Sequence, residues 1–158
     1  MKTIQVEQVY RIHGTATDSI PEDTPLEHVI SRFAREPGLR GLFLVDSRQR
    51  LSGMLTRADL MKWAHLQFFG WKGRNNIKMY DIFHFIDAKK AKDIANTDPR
   101  SIAVKETDTL QAAFDKMLDN EEDVLPVVDD EFKILGDLRL SEVFMKVIEV
   151  GKEKSGDE

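Results

Sequence analysis

Apolar residues recur at helical spacing twice along the chain. Leu26, Val29, Ile30, Phe33 and Ala34 fall at i, i+3, i+4, i+7 and i+8, as do Leu110, Ala113, Phe114, Met117 and Leu118, each 84 residues after its counterpart. That spacing puts an apolar stripe on each of two amphipathic helices. Thr24 with Glu27, and Asp108 with Gln111, supply capping-box pairs at their starts, helped in the earlier helix by Pro25 at its first position. After each helix comes a short apolar run ending in aspartate, Leu42 to Asp46 and Val124 to Asp129, which reads as a buried strand. Polar turns, Ser47–Arg50 and Asp130–Lys133, lead on to Gly53 and Gly136, each seven residues past its aspartate. Here the offset is 83, so one residue has been lost between helix and strand. Leu60, Met61 and Ala64 match Val143, Phe144 and Val147 in a closing helix, and each half opens on a candidate strand, near Ser19–Ile20 and near Ile102–Val104. The pattern predicts two copies of a β-α-β-β-α unit, an α+β fold with an α/β-like mixture of elements. Residues 1–69 make the first unit, 70–90 a connector, 91–150 the second unit and 151–158 a polar, disordered tail.

Composition narrows the function classes. The 158 residues suffice for one ordinary domain or two small packed units, and no apolar run is long enough to cross a bilayer. The absence of cysteine excludes disulfides and thiolate chemistry, and the first residues lack a signal-peptide core, so a cytoplasmic protein is expected. A net charge of -5 argues against a broad nucleic-acid-binding face; the cluster Trp71-Lys72-Gly73-Arg74 with Lys78 is a local basic exception. Trp63, Phe68, Phe69 and Trp71 read as packing against the connector or a partner chain. His13, His28, His65 and His84 lie at no ligand spacing, so no metal is expected. Neither a Gly-x-Ser-x-Gly elbow nor a phosphate-binding loop occurs, and no catalytic constellation points to an enzyme.

One short segment carries candidate binding chemistry. Thr56 and Asp59 fall where a strand gives way to a helix, so backbone N–H groups and the positive end of the helix dipole face outward. Thr56 can donate to a phosphate, Arg57 can add charge and Asp59 can accept from ribose hydroxyls. The same Thr-x-x-Asp pattern is also a helix cap that needs no ligand, and the residues alone leave both open.

The doubled phrases resemble a known family. Leu125-Pro126-Val127-Val128-Asp129, its counterpart ending Val45-Asp46, and Gly53-Met54-Leu55-Thr56-Arg57-Ala58-Asp59 resemble a tandem CBS-domain protein, or Bateman module, over residues 6 to 69 and 91 to 150. The resemblance implies units related by a pseudo-twofold axis, sheets packed together and helices outside. It implies a non-catalytic ligand sensor that binds AMP, ADP or ATP in clefts between the units, with S-adenosylmethionine or NADH as alternatives and no required cofactor. Thr56 and Asp59 would hold phosphate and ribose, and Thr97, Ile102, Ala103, Val124 and Leu125 would face the adenine. In the pseudo-symmetric second site, Arg139 and Glu142 replace threonine and aspartate opposite Asp18 and Ser19, so one good site and one altered or empty site are expected. The resemblance further implies a homodimer and an effector protein as listener. The alternative is a dimerising or docking scaffold without a ligand.

Overall fold

The computed structural model describes residues 3–10, 17–70 and 85–156. Trp71–Arg74, Lys78, His13 and His84 lie outside the described residues. Among the described residues there are two three-stranded sheets. In the first, β1 (Thr17–Pro21) runs parallel to β2 (Gly41–Val45), which pairs antiparallel with β3 (Leu51–Thr56); in the second, β4 (Val104–Lys105), β5 (Val124–Val128) and β6 (Ile134–Arg139) repeat that order. The helices are α1 (Leu26–Arg35), α2 (Arg57–Phe69), the single turn α3 (Pro99–Ile102), α4 (Leu110–Asn120) and α5 (Leu140–Gly156). The β2–β3 ladder, from Gly41 opposite Thr56 to Val45 opposite Leu51, maps residue for residue 83 positions on to the β5–β6 ladder, from Val124 opposite Arg139 to Val128 opposite Ile134. Both ladders slip one residue at the same place, between Leu44 and Val45 and between Val127 and Val128.

The strand turns explain the paired aspartates. Asp46 accepts from the N–H groups of Arg48 and Arg50 at 2.9 and 3.0 Å, and Asp129 from those of Glu131 and Lys133, both at 2.9 Å. Each carboxylate ties its turn closed, letting Gln49 and Phe132 adopt positive φ. The Arg50 N–H above all, then the Arg48 N–H and the Arg50 guanidinium, hold the Asp46 carboxyl below its ordinary range.

Compact units form, but their boundaries differ from the linear ones expected. One comprises Ala16–Pro99; the other joins Met1–Thr15 to Arg100–Glu158. The reason is an exchange of short 3-10 turns. Val6–Gln8 precedes the first repeat but docks in the second unit: the Val6 N–H donates to Asp108 O at 2.9 Å, the Leu110 N–H to Ile4 O at 2.8 Å, and Val6 is fully buried in that core. Ala91–Asp93 precedes the second repeat but serves the first unit in the same way, with the Ala91 N–H on Thr24 O and the Leu26 N–H on Lys89 O, both at 2.9 Å. Each turn thus satisfies backbone groups in the loop before a helix and adds an apolar plug beneath it. Tyr10 completes the second core, its hydroxyl donating to Glu106; burial and that bond push its pKa up to about 12.

Several local expectations shift. Thr24 donates to Pro21 O at 2.7 Å and does not cap α1, while Thr109, one residue after the expected Asp108, caps α4 by accepting from the Ala112 N–H. Asp108 accepts from the Lys105 N–H instead. The residues before β4 wind into α3, held by Lys116 on Arg100 O and Ala103 O and by Asn120 on Ser101 O, which leaves β4 two residues long. The tail expected to be disordered from residue 151 continues α5 through Gly156.

Gly53 is required by close approach. Asn96 pairs with Met54 along the outer edge of β3, and a Cβ on Gly53 would sit 2.5 Å from Asn96 O. Backbone cannot yield as a flexible side chain does. Gly53→Ala is expected to cost about 2 kcal/mol, read as a lower urea midpoint, whereas Gly38→Ala, with open space at its Cβ, should cost far less.

Candidate functional site

The first cradle is the β3–α2 junction. Thr56 leaves β3 in extended conformation and caps α2, its buried hydroxyl accepting from the Asp59 N–H at 3.4 Å and donating to Asp59 Oδ2 at 3.1 Å. The Thr56 N–H also donates to Asp59 Oδ2, at 2.9 Å. The pair expected from sequence is therefore together, locked as a full capping box. For this hydroxyl to hold a phosphate it must turn from Asp59 to the ligand.

Arg57 makes contacts that the sequence did not predict. Its Nε donates to Leu39 O at 2.9 Å, its Nη2 to Glu36 O and Pro37 O at 2.9 and 3.0 Å, and its guanidinium lies 5.3 Å from the Phe33 ring centre. These bonds clamp the α1–β2 loop. A planar fork engaged by three carbonyls gives Arg57 a structural role.

The residues read as an adenine cradle divide between the units. Thr97 belongs with Thr56 to the first unit; it is exposed beside Gly53, three residues back along β3 from Thr56. Ile102, Ala103, Val124 and Leu125 belong to the second unit and are all buried. Leu125 packs in that unit's hydrophobic core with Val127 and Leu138; strand alternation puts Val124 on the opposite face. In the altered cradle, the Arg139 N–H donates to Glu142 Oε1 at 3.1 Å, so Glu142 caps α5 as Asp59 caps α2. Ser19 is exposed on β1, its N–H donating to Asp18, which pairs with Arg32 at 3.2 Å. Sequence reasoning passed over Asp137, which is 2 % exposed and pairs with Arg139 at 3.3 Å. Its signal was available: it stands 83 residues after Met54, a polar residue at an apolar repeat position.

Among the described residues no group of three or more histidines, cysteines or carboxylates could hold a metal, and no helix is long and apolar enough to cross a membrane. His28 is exposed, and His65 packs against Phe69 with ring centres 5.3 Å apart.

The CBS domain model matches residues 12–66 and again 91–149. The chain is a tandem CBS-domain protein. The two matches fall on the two repeats, and solved CBS structures share the fold. A CBS domain-containing protein from Thermotoga maritima is 26% identical, with 94% of this chain and 97% of that one covered and a TM-score of 0.75. A CBS domain protein from Pyrobaculum aerophilum, complexed with AMP, is 17% identical, with 88% and 89% covered and a TM-score of 0.61. A CBS domain pair in complex with 5′-methylthioadenosine and S-adenosyl-L-methionine is 16% identical, with 96% and 99% covered and a TM-score of 0.62. No curated protein sequence matches this CBS pair.

Proposed function

We propose that this CBS pair is a regulatory module, without catalysis of its own, that binds an adenosine-containing ligand through Thr56 and Asp59. The observation that carries the reading is the Thr56–Asp59 pair itself, at the strand-to-helix junction of a fold whose solved relatives hold AMP or S-adenosylmethionine. The junction offers what a nucleotide needs: a hydroxyl donor and helix N–H groups for phosphate, and a half-buried carboxylate for ribose. Ligand at 100 times its dissociation constant should add about 2.7 kcal/mol of stability. A thermal-denaturation screen of AMP, ADP, ATP, S-adenosylmethionine and NADH is expected to show a rise in Tm for wild type that shrinks in Thr56→Ala and Asp59→Ala. A full response surviving in both variants would remove this junction from the function.

A second reading, self-association, has its own observation. The stripe on α4 is wider than the core it faces: Ala113 and Met117 are buried, while Leu118 is 63% exposed. Phe144 and Val147 of α5 are 54% and 62% exposed, and with Phe114 they line an apolar groove of about 520 Å³. A second copy of this chain offers the matching apolar face, as in an isologous dimer. Light scattering is expected to give a dimer for wild type and a monomer for Phe144→Asp/Val147→Asp. A monomeric wild type, or a variant that stays dimeric, would contradict it.

A further inference from the structure

The closing helix of the second unit carries an apolar stripe that its own core does not use. α5 seats Leu140 and Val143 against that core, while Phe144, Val147 and Ile148 remain more than half exposed on its outer side. Gly151 completes the stripe at the i, i+3, i+4, i+7 spacing that puts four residues on one helix face. Glycine weakens a helix interior, and it serves where another group must come close. Among the described residues nothing does: a Cβ on Gly151 would meet no atom within 4 Å. The repeat does not call for glycine either, since the matching residue 83 positions earlier in α2 is the exposed Phe68. About its midpoint, between Val147 and Ile148, the stripe is self-complementary in size. A twofold axis there sets α5 antiparallel to its copy, with each Phe144 ring over the partner's Gly151 and each Val147 beside the partner's Ile148. A parallel pair would instead press Phe144 on Phe144 and leave a gap at Gly151. Charge favours the same arrangement. α4 runs antiparallel to α5: the Leu140 N–H donates to Asp123 O just past the end of α4, while Leu110 at its start lines one groove with Val147. The exposed Lys152 and Lys154 of an antiparallel copy therefore lie towards the later half of α4, where Asp115 and Asp119 are exposed.

We infer that two copies of this chain pair through α5 in the antiparallel register, Phe144 acting as the knob and Gly151 as the hole. Lys152 and Lys154 of each copy meet Asp115 and Asp119 of the other at the rim. This register rests on the self-association read from the α4–α5 groove, and it fixes which residues meet there.

Sedimentation equilibrium of the full chain tests the register. Wild type is expected to dimerise, and Gly151→Phe to raise the dimer dissociation constant by about tenfold or more, because the hole is filled. Circular dichroism should find that variant at least as helical as wild type, since phenylalanine is the better helix former. Phe144→Gly should weaken the dimer as well. Phe144→Gly/Gly151→Phe exchanges knob and hole, so it should dimerise more tightly than either single variant. Lys152→Glu/Lys154→Glu should weaken association, and adding Asp115→Lys/Asp119→Lys to that chain should restore it. A monomeric wild type would remove the self-association itself. A dimeric wild type whose affinity Gly151→Phe leaves unchanged, or a double variant no tighter than either single, would overturn the register and leave the dimer standing. Charge reversal without rescue would overturn the role of the lysines.

Discussion

Val6→Asp is expected to destabilise the second unit by about 4 kcal/mol or more, the largest effect of any single substitution considered. Val6 stands close to the amino terminus, where a charge would ordinarily be harmless. In this fold it is fully buried among Val104, Leu125 and Leu138, and its N–H bonds Asp108 O just ahead of α4. Aspartate there must either desolvate a carboxylate in an apolar core or pull the 3-10 turn out, freeing the Ile4–Leu110 bond as well. Hydrogen exchange should show the loss spreading over β4, β5 and α4 of the second unit. Glu7→Ala, one residue on and exposed, should change stability by less than about 0.5 kcal/mol. If Val6→Asp were as stable as Glu7→Ala, the docking of the amino-terminal segment would be refuted.

Arg57→Ala should cost about 3 kcal/mol, because one guanidinium satisfies the carbonyls of Glu36, Pro37 and Leu39 and covers the Phe33 ring. Arg57→Lys should recover little of that loss, since an ammonium cannot reproduce the fork. Urea denaturation measures both. The same variants separate clamp from ligand contact: nucleotide affinity of the folded Arg57→Lys protein should stay near wild type, whereas a drop of tenfold or more would return Arg57 to the binding site.

The parts of the fold legible in sequence are those written in periodicity. The stripes of α1 and α4, the runs of β2 and β5, the aspartate turns and the 83-residue offset all reflect local pattern, and the ladders follow them. The exchange of Val6–Gln8 and Ala91–Asp93 between units was not legible, because a three-residue turn has no period of its own. Its trace was an offset of 85 linking Val6 to Ala91 and Val9 to Ile94, too short to stand alone. Of the candidate site, the Thr56–Asp59 pairing was readable from spacing. The direction of the Arg57 fork was not, since it depends on carbonyls 18 to 21 residues away. The core placement of Leu125 and the helical turn before β4 likewise depend on strand register and on Lys116 and Asn120 reaching back from α4.

Whether a nucleotide meets the turn where β3 becomes α2 is settled most directly by a crystal structure grown with saturating AMP. The ribose hydroxyls are expected within hydrogen-bonding distance of the Asp59 carboxylate, with the Thr56 hydroxyl turned towards the phosphate. AMP bound elsewhere, with the capping box undisturbed, would contradict the assignment.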